Sequence, residues 1–151
     1  MAEFTYNPIQ LVSYGQNVLL NDSIPCNKGY VLHKNGSGLV TLTGKVNNPC
    51  ARFARYQVTF NGNIAVPEGG TAGPISLAIS INGEPIQTSK AIVTPTAVDA
   101  YFNVTSTAFI TVPSCYCFTI SVENTSDPAT PDATGSQISV QNANLVVSRV
   151  S

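Results

Sequence analysis

Residues 51–86 read ARFARYQVTFNGNIAVPEGGTAGPISLAISINGEPI, and this stretch decides the architecture. Tyr56, Val58 and Phe60 place large apolar side chains on every second residue, with Arg55, Gln57 and Thr59 between them. Ile75, Leu77, Ile79 and Ile81 repeat the pattern, with Ser76, Ala78, Ser80 and Asn82 on the other face. Successive side chains of a strand point to opposite faces, so this period of two predicts half-buried antiparallel strands. Asn82-Gly83 supplies the residues that best tolerate the positive φ angles of a two-residue hairpin turn. Between the strands lies a Gly/Pro-rich corner, Val66 to Pro74.

The same alternation extends outward. Ile9–Tyr14 and Asn17–Leu20 read as short strands anchored by Leu11, Val18 and Leu20. Gly29–His33 and Leu39–Val46 follow, the latter weakened at Gly44. Beyond the central hairpin come Ile86–Val93, Asp99–Val112, with Phe102, Val104, Ala108, Ile110 and Val112 on one face, and Cys115–Val122, with Tyr116, Phe118, Ile120 and Val122 inward. Ser136–Val150 is the final strand. Asn124–Gly135 is a loop by composition. No window carries the three-to-four spacing of an amphipathic helix. Short alternating strands punctuated by turn residues predict an all-β antiparallel β-sandwich. Residues 1–8 read as an N-terminal arm and residues 9–151 as one domain.

Charged residues make up only 10% of the 151 residues, the net charge is −1, and 43% are hydrophobic. A free surface usually carries more charge, so association of copies is expected. Seven basic and eight acidic residues, scattered singly, give no electrostatic footprint for nucleic acid. There is no apolar run long enough for a membrane span, and MAEFTYNPIQ has no Sec-signal character. Export is therefore expected as part of a particle or by lysis, after assembly in the cytoplasm.

In the order of its phrases the chain resembles the tumour-necrosis-factor-like jelly roll. That group includes complement-type globular heads and the heads of bacterial collagen-like surface proteins. The phrases are Tyr56–Phe60, Ser76–Ile86 (SLAISINGEPI) and Ala143–Val150 (ANLVVSRV), so the resemblance covers roughly residues 50–151. GQNVLL and GSGLVTL in the first fifty residues are similar to compact proteins of Firmicutes and their phages. The resemblance implies a homotrimeric jelly roll without catalytic activity or cofactor. The chain lacks a Gly-X-Y stalk, which favours a free-standing component of a phage virion, a decoration protein or fibre head, with capsid or tail proteins or host surface glycans as its expected partners. The alternative is a bacterial cell-surface or spore-coat head that assembles through subunit contacts and cysteines.

The chemistry-bearing residues are few. Cys26, Cys50, Cys115 and Cys117 are candidate disulfide partners, and three pairings are open. Cys115 and Cys117 share a face if their strand is continuous, which favours bonding to Cys26 and Cys50 over bonding to each other. Free buried thiols are the competing reading; a zinc site is weak, because C-x-C with two distant single cysteines is not metal-ligand spacing. His33, the lone histidine, reads as a surface-loop residue, with no Gly-x-Ser-x-Gly elbow to support catalysis. The acids Glu68, Glu84, Asp99, Glu123, Asp127 and Asp132 are dispersed. Asp127 and Asp132 could meet a calcium ion but lack a dense ligand pattern, so a solvated loop is expected. The candidate binding loops are Val66–Pro74, with Glu68 and Thr71, and Asn124–Gly135, with Asp127 and Asp132, since scaffold loops carry most recognition. Tyr14, Tyr30, Tyr101 and Tyr116 are candidate aromatics.

Overall fold

The computed structural model describes residues 2–24, 29–33, 36–126 and 137–150. Its strands are β1 (Ala2–Tyr6), β2 (Gln10–Val12), β3 (Asp22–Ile24), β4 (Val31–His33), β5 (Val40–Thr43) and β6 (Phe53–Ala65). They continue with β7 (Ile75–Ile81), β8 (Glu84–Pro85), β9 (Ala91–Val93), β10 (Phe102–Pro113), β11 (Cys117–Asn124) and β12 (Ile138–Arg149). One sheet runs β10-β6-β12-β1-β3, with β2 also on β12. The other runs β4-β5-β11-β7-β8, with β9 also on β7. Every pairing is antiparallel. The expected all-β antiparallel sandwich is what forms.

The stretch that opens the sequence reading is also the physical centre. Along β6, Ala54, Tyr56, Val58, Phe60 and Ile64 are buried and Arg55, Gln57, Thr59, Asn61 and Asn63 point outward. β7 is buried on both faces from Ile75 to Ser80, because Thr125, Ser126 and the Glu123 side chain cover its serine side. Asn82 and Gly83 take φ of 51° and 85° and Ile81 pairs with Glu84, the two-residue turn their sequence predicts. Gly44 is buried beneath the turn at the end of β10, where its N–H donates to the Tyr116 carbonyl at 2.8 Å.

Several boundaries differ from the sequence reading. Residues 1–8, expected as an arm, contain β1, which sits inside the sheet between β12 and β3, with Ala2 opposite Val147. Ala2 and Phe4 are buried, an alternation too short to read against a background of polar neighbours. Ile86–Val93 is not one strand: a 3-10 turn, Gln87–Ser89, interrupts it, fixed by the Ser89 hydroxyl against the Ile79 and Ile86 backbone. Val12, not Leu11, is the anchor of β2. Phe102 has the inward phase of β10 but lies at its open end, exposed. Cys115–Tyr116 belong to a turn, with Tyr116 N–H donating to the Pro113 carbonyl at 3.1 Å, so Tyr116 points to solvent and β11 starts only at Cys117.

Candidate functional site

The antiparallel register sends the connections to two ends. At one end, Val66 follows β6, and its carbonyl accepts the Asp99 N–H at 2.8 Å, tying segment 66–74 to the segment 94–101 that leads into β10. Residues 68–72, with Glu68 and Thr71, are exposed; the Gly70 N–H bonds to the Pro67 carbonyl at 3.0 Å, and Gly69 takes a φ of 86° that a side chain rarely adopts. The turn after β2 joins this end: Gly15 N–H donates to the Asn124 carbonyl at 2.9 Å and Asn124 N–H to the Gln16 carbonyl at 3.0 Å. Tyr14 stands exposed on that turn. The structure thus brings Glu68, Thr71, Asp99 and Tyr14 to one end of the sandwich. Asp127 and Asp132 lie outside the described residues.

This end is held by a buried polar network. The Asn124 amide donates to the Val12 carbonyl and accepts from the Ser126 N–H, both at 2.9 Å. The Ser126 hydroxyl accepts from the Ser76 N–H at 2.9 Å, and the Ser76 and Thr125 hydroxyls meet at 2.8 Å. Buried polar groups in a low dielectric rigidify a site when they are mutually satisfied. Asn124-Thr125-Ser126 has the Asn-x-Ser/Thr form of a glycosylation acceptor, and the complete burial of Asn124 removes it as one.

The outward face of the β10-β6-β12-β1-β3 sheet is a second candidate surface. Its rungs read Phe109–Gln57–Ser148, Thr107–Thr59–Val146–Glu3–Ile24, and Thr105–Asn61–Asn144–Thr5–Asp22. Amides and hydroxyls brace one another across strands: the Asn103 amide donates to Asn61 Oδ1 at 2.9 Å and to Asn63 Oδ1 at 3.2 Å, and Thr59 meets Thr107 at 3.3 Å. The Asn144 amide donates to the Glu3 carboxylate. Phe109 is 68% exposed on this face, and Arg55 stacks over Phe53 at 4.9 Å. Alternation in β6 and β10 shows these side chains as outward, but the rungs that unite them come only from the pairing of distant strands.

At the opposite end lie three thiols. Cys50 sits in a turn closed by Ala51 N–H to the Asn48 carbonyl at 2.9 Å, Ser114 N–H donates to the Arg52 carbonyl at 2.8 Å, and Cys117 pairs with Thr43. Cys50, Cys115 and Cys117 are free and exposed; Cys26 lies outside the described residues. Cys115, at φ 70°, is in the turn, so it does not share a strand face with Cys117 as expected. Among the described residues no three His, Cys, Asp or Glu side chains converge as metal ligands. Tyr30 is also at this end, its hydroxyl bonded to Asn47, with the Arg149 guanidinium 4.2 Å above its ring.

His33 is on β4 rather than in a loop. Its ring packs 4.7 Å from Phe4 and its Nε2 bonds the Ser37 carbonyl at 2.9 Å. It borders an open groove of about 380 Å³ with Leu32, Ser37, Leu39, Thr41 and Thr119, which brings no nucleophile–base pair together.

No protein-family model matches the chain, and no curated protein matches it in sequence. Among solved structures, the globular domain of zebrafish complement 1qA protein superimposes with a TM-score of 0.57 at 14% identity, over 96% of this chain and 94% of that one. The fold is therefore the complement-head, TNF-like jelly roll, and the likeness extends over the first fifty residues as well. The C-terminal domain of the sugar-binding protein EclA matches with a TM-score of 0.37 at 14% identity, over 82% of this chain and 86% of that one. The CBM22-1 xylan-binding domain of Paenibacillus barcinonensis Xyn10C also scores 0.37, at 9% identity, over 99% and 87%. At that score neither carries an argument about this chain.

Proposed function

We propose that the chain is a non-enzymatic binding head that works as a homotrimer and presents its 66–74 end to a ligand three times over. One observation carries the assembly: exposed apolar side chains occupy two different surfaces of the same molecule. Phe109 stands on the sheet face, whereas Ile92, 61% exposed, and Phe102 stand along the edge where β9 and β10 run. A contact that joins one patch to a different patch on the next copy is head-to-tail, and it makes a ring when the rotation between copies closes, here after three. The near-neutral rungs around Phe109 suit such burial, because they bring few unpaired charges with them. Three copies is the number the family resemblance implies.

A parallel ring turns three 66–74 ends the same way, so weak contacts at each add through effective concentration. Glu68, Thr71 and Tyr14 offer the hydrogen-bonding and stacking groups with which a surface glycan is held. The setting we favour is a phage virion, as a decoration protein or fibre head. The similarity of GQNVLL and GSGLVTL to compact proteins of Firmicutes and their phages is what supports it.

Light scattering in reductant is expected to give the mass of three chains. Phe109→Glu and Ile92→Glu should each return one chain with an unchanged circular dichroism spectrum. A wild-type monomer would sink the assembly. Mass spectrometry of purified virions tests the setting, and absence of the chain from them would overturn it.

A further inference from the structure

We infer that the end of the sandwich bearing Cys50, Cys115 and Cys117 is a covalent attachment site, through which one copy of this chain is joined to another by disulfide exchange. All three thiols are exposed and free of disulfides, Cys50 and Cys115 on turns and Cys117 at the start of β11, and these segments neighbour each other through the Ser114 to Arg52 and Gly44 to Tyr116 backbone bonds. Free cysteine is among the most buried residue types when its role is only packing, and here three of them face solvent on one end. No metal-ligand cluster uses them among the described residues.

Cys115 is the foremost of the three. Its φ of 70° is a conformation that glycine or asparagine adopts more readily, so the turn itself does not require a cysteine. Tyr116, 64% exposed, and Phe53 flank the site, and the Val150 N–H bonded to the Arg55 carbonyl brings a third exposed apolar side chain there. A disulfide needs a thiol on each side, and a second copy of this chain supplies both the thiol and the apolar surround. In a parallel ring these ends all face one way, so joining is between particles, base to base; a single chain can equally be joined to a single chain.

The co-reactant is a low-molecular-weight disulfide such as oxidised glutathione. A thiolate of one copy attacks a sulfur of the small disulfide, breaking its S–S bond and releasing one small thiol. The thiolate of the second copy attacks the protein sulfur of that mixed disulfide and expels the second small thiol. One protein–protein S–S bond forms, and the two protons leave with the two released thiols.

Full-length protein is incubated with oxidised glutathione and run on non-reducing denaturing gels, with intact mass spectrometry alongside. The expected result is covalent dimers and larger species that collapse in reductant. Cys115→Gly, which suits the turn's φ, should lose most of the dimer. The triple variant Cys50→Ser/Cys115→Ser/Cys117→Ser should lose all of it, with an unchanged unfolding midpoint. Three outcomes would each overturn the inference: glutathione adducts without chain-to-chain links, an internal disulfide alone, or crosslinks that persist in the triple variant. Because solution mass in reductant reports the ring separately, failure here and failure of the trimer are distinguishable.

Discussion

Replacing Gly44 with alanine is expected to remove about 4 kcal/mol of stability, a large share of the roughly 5–15 kcal/mol that keeps a domain of this kind folded. A Cβ at this position would fall on the Pro113 carbonyl oxygen and 2.9 Å from that of Tyr116. Both obstacles are backbone, held in place by the turn between β10 and β11, so no side chain can rotate away. Relief requires the end of β5 to move off that turn, which breaks the Gly44–Tyr116 hydrogen bond and disturbs the pairing of Thr43 with Cys117. An overpacked contact plus a broken buried backbone bond sum to roughly that figure. Gly73→Ala is the matched control: nothing lies within 4 Å of the added Cβ and its φ is ordinary. Urea unfolding followed by circular dichroism compares them. Equal midpoints for the two variants would mean that β5 does not end under the β10–β11 turn.

Asn124→Ala is expected to cost about 3 kcal/mol, the penalty for leaving two buried backbone groups without partners. The amide is fully buried, and its loss strands the Val12 carbonyl and the Ser126 N–H together. The damage should not stay local. Ser126 in turn receives the Ser76 N–H, so the exit of β11 loosens from β7 and from the turn that carries Tyr14. Asn103→Ala provides the contrast: its amide also makes two hydrogen bonds, but on the exposed sheet face. Surface changes of that kind stay within about 0.5 kcal/mol. A midpoint for Asn124→Ala as mild as that for Asn103→Ala would show that the network is not what holds this end.

The stretch from Ala51 to Ile86 was legible because each signal in it is local. Alternation in β6 and β7 and the Asn82-Gly83 turn need no knowledge of distant residues, and they place both strands correctly. The hairpin expected between them does not form: β6 and β7 lie in opposite sheets, so the Val66–Pro74 corner crosses the sandwich, a partner choice that alternation within each strand cannot reveal. β1 was not legible. Its burial depends on pairing with β12, at the far end of the chain, and nothing within Ala2–Tyr6 announces that partner. Cys115 failed for a different reason. Alternation of Tyr116 with Phe118 continues across the turn as if the strand were unbroken, while the reversal at Pro113 and the positive φ set the true boundary. His33 read as a loop residue because Asn35-Gly36 follows it, but Phe4 from β1 covers it, and β1 was itself unread. Of the candidate site, the exposure of Glu68 and Thr71 followed from composition. The tie from Val66 to Asp99 that brings the 94–101 segment beside them is tertiary, and so is the rung structure around Phe109.

The position of β12 between β6 and β1 also governs the order in which this protein can be made. On the ribosome, β6 and β10 emerge early enough to zip together, but the other long edge of β6 waits for residues 138–149. β1 waits just as long, since Ala2 finds Val147 only once β12 has been made. Closing a sheet from its first and last strands is slow, and during that interval the bare edge of β6 can accept the same strand from a neighbouring chain. Crowded polysomes would therefore favour strand-exchanged copies, whereas slow release of dilute chains would favour correctly closed ones.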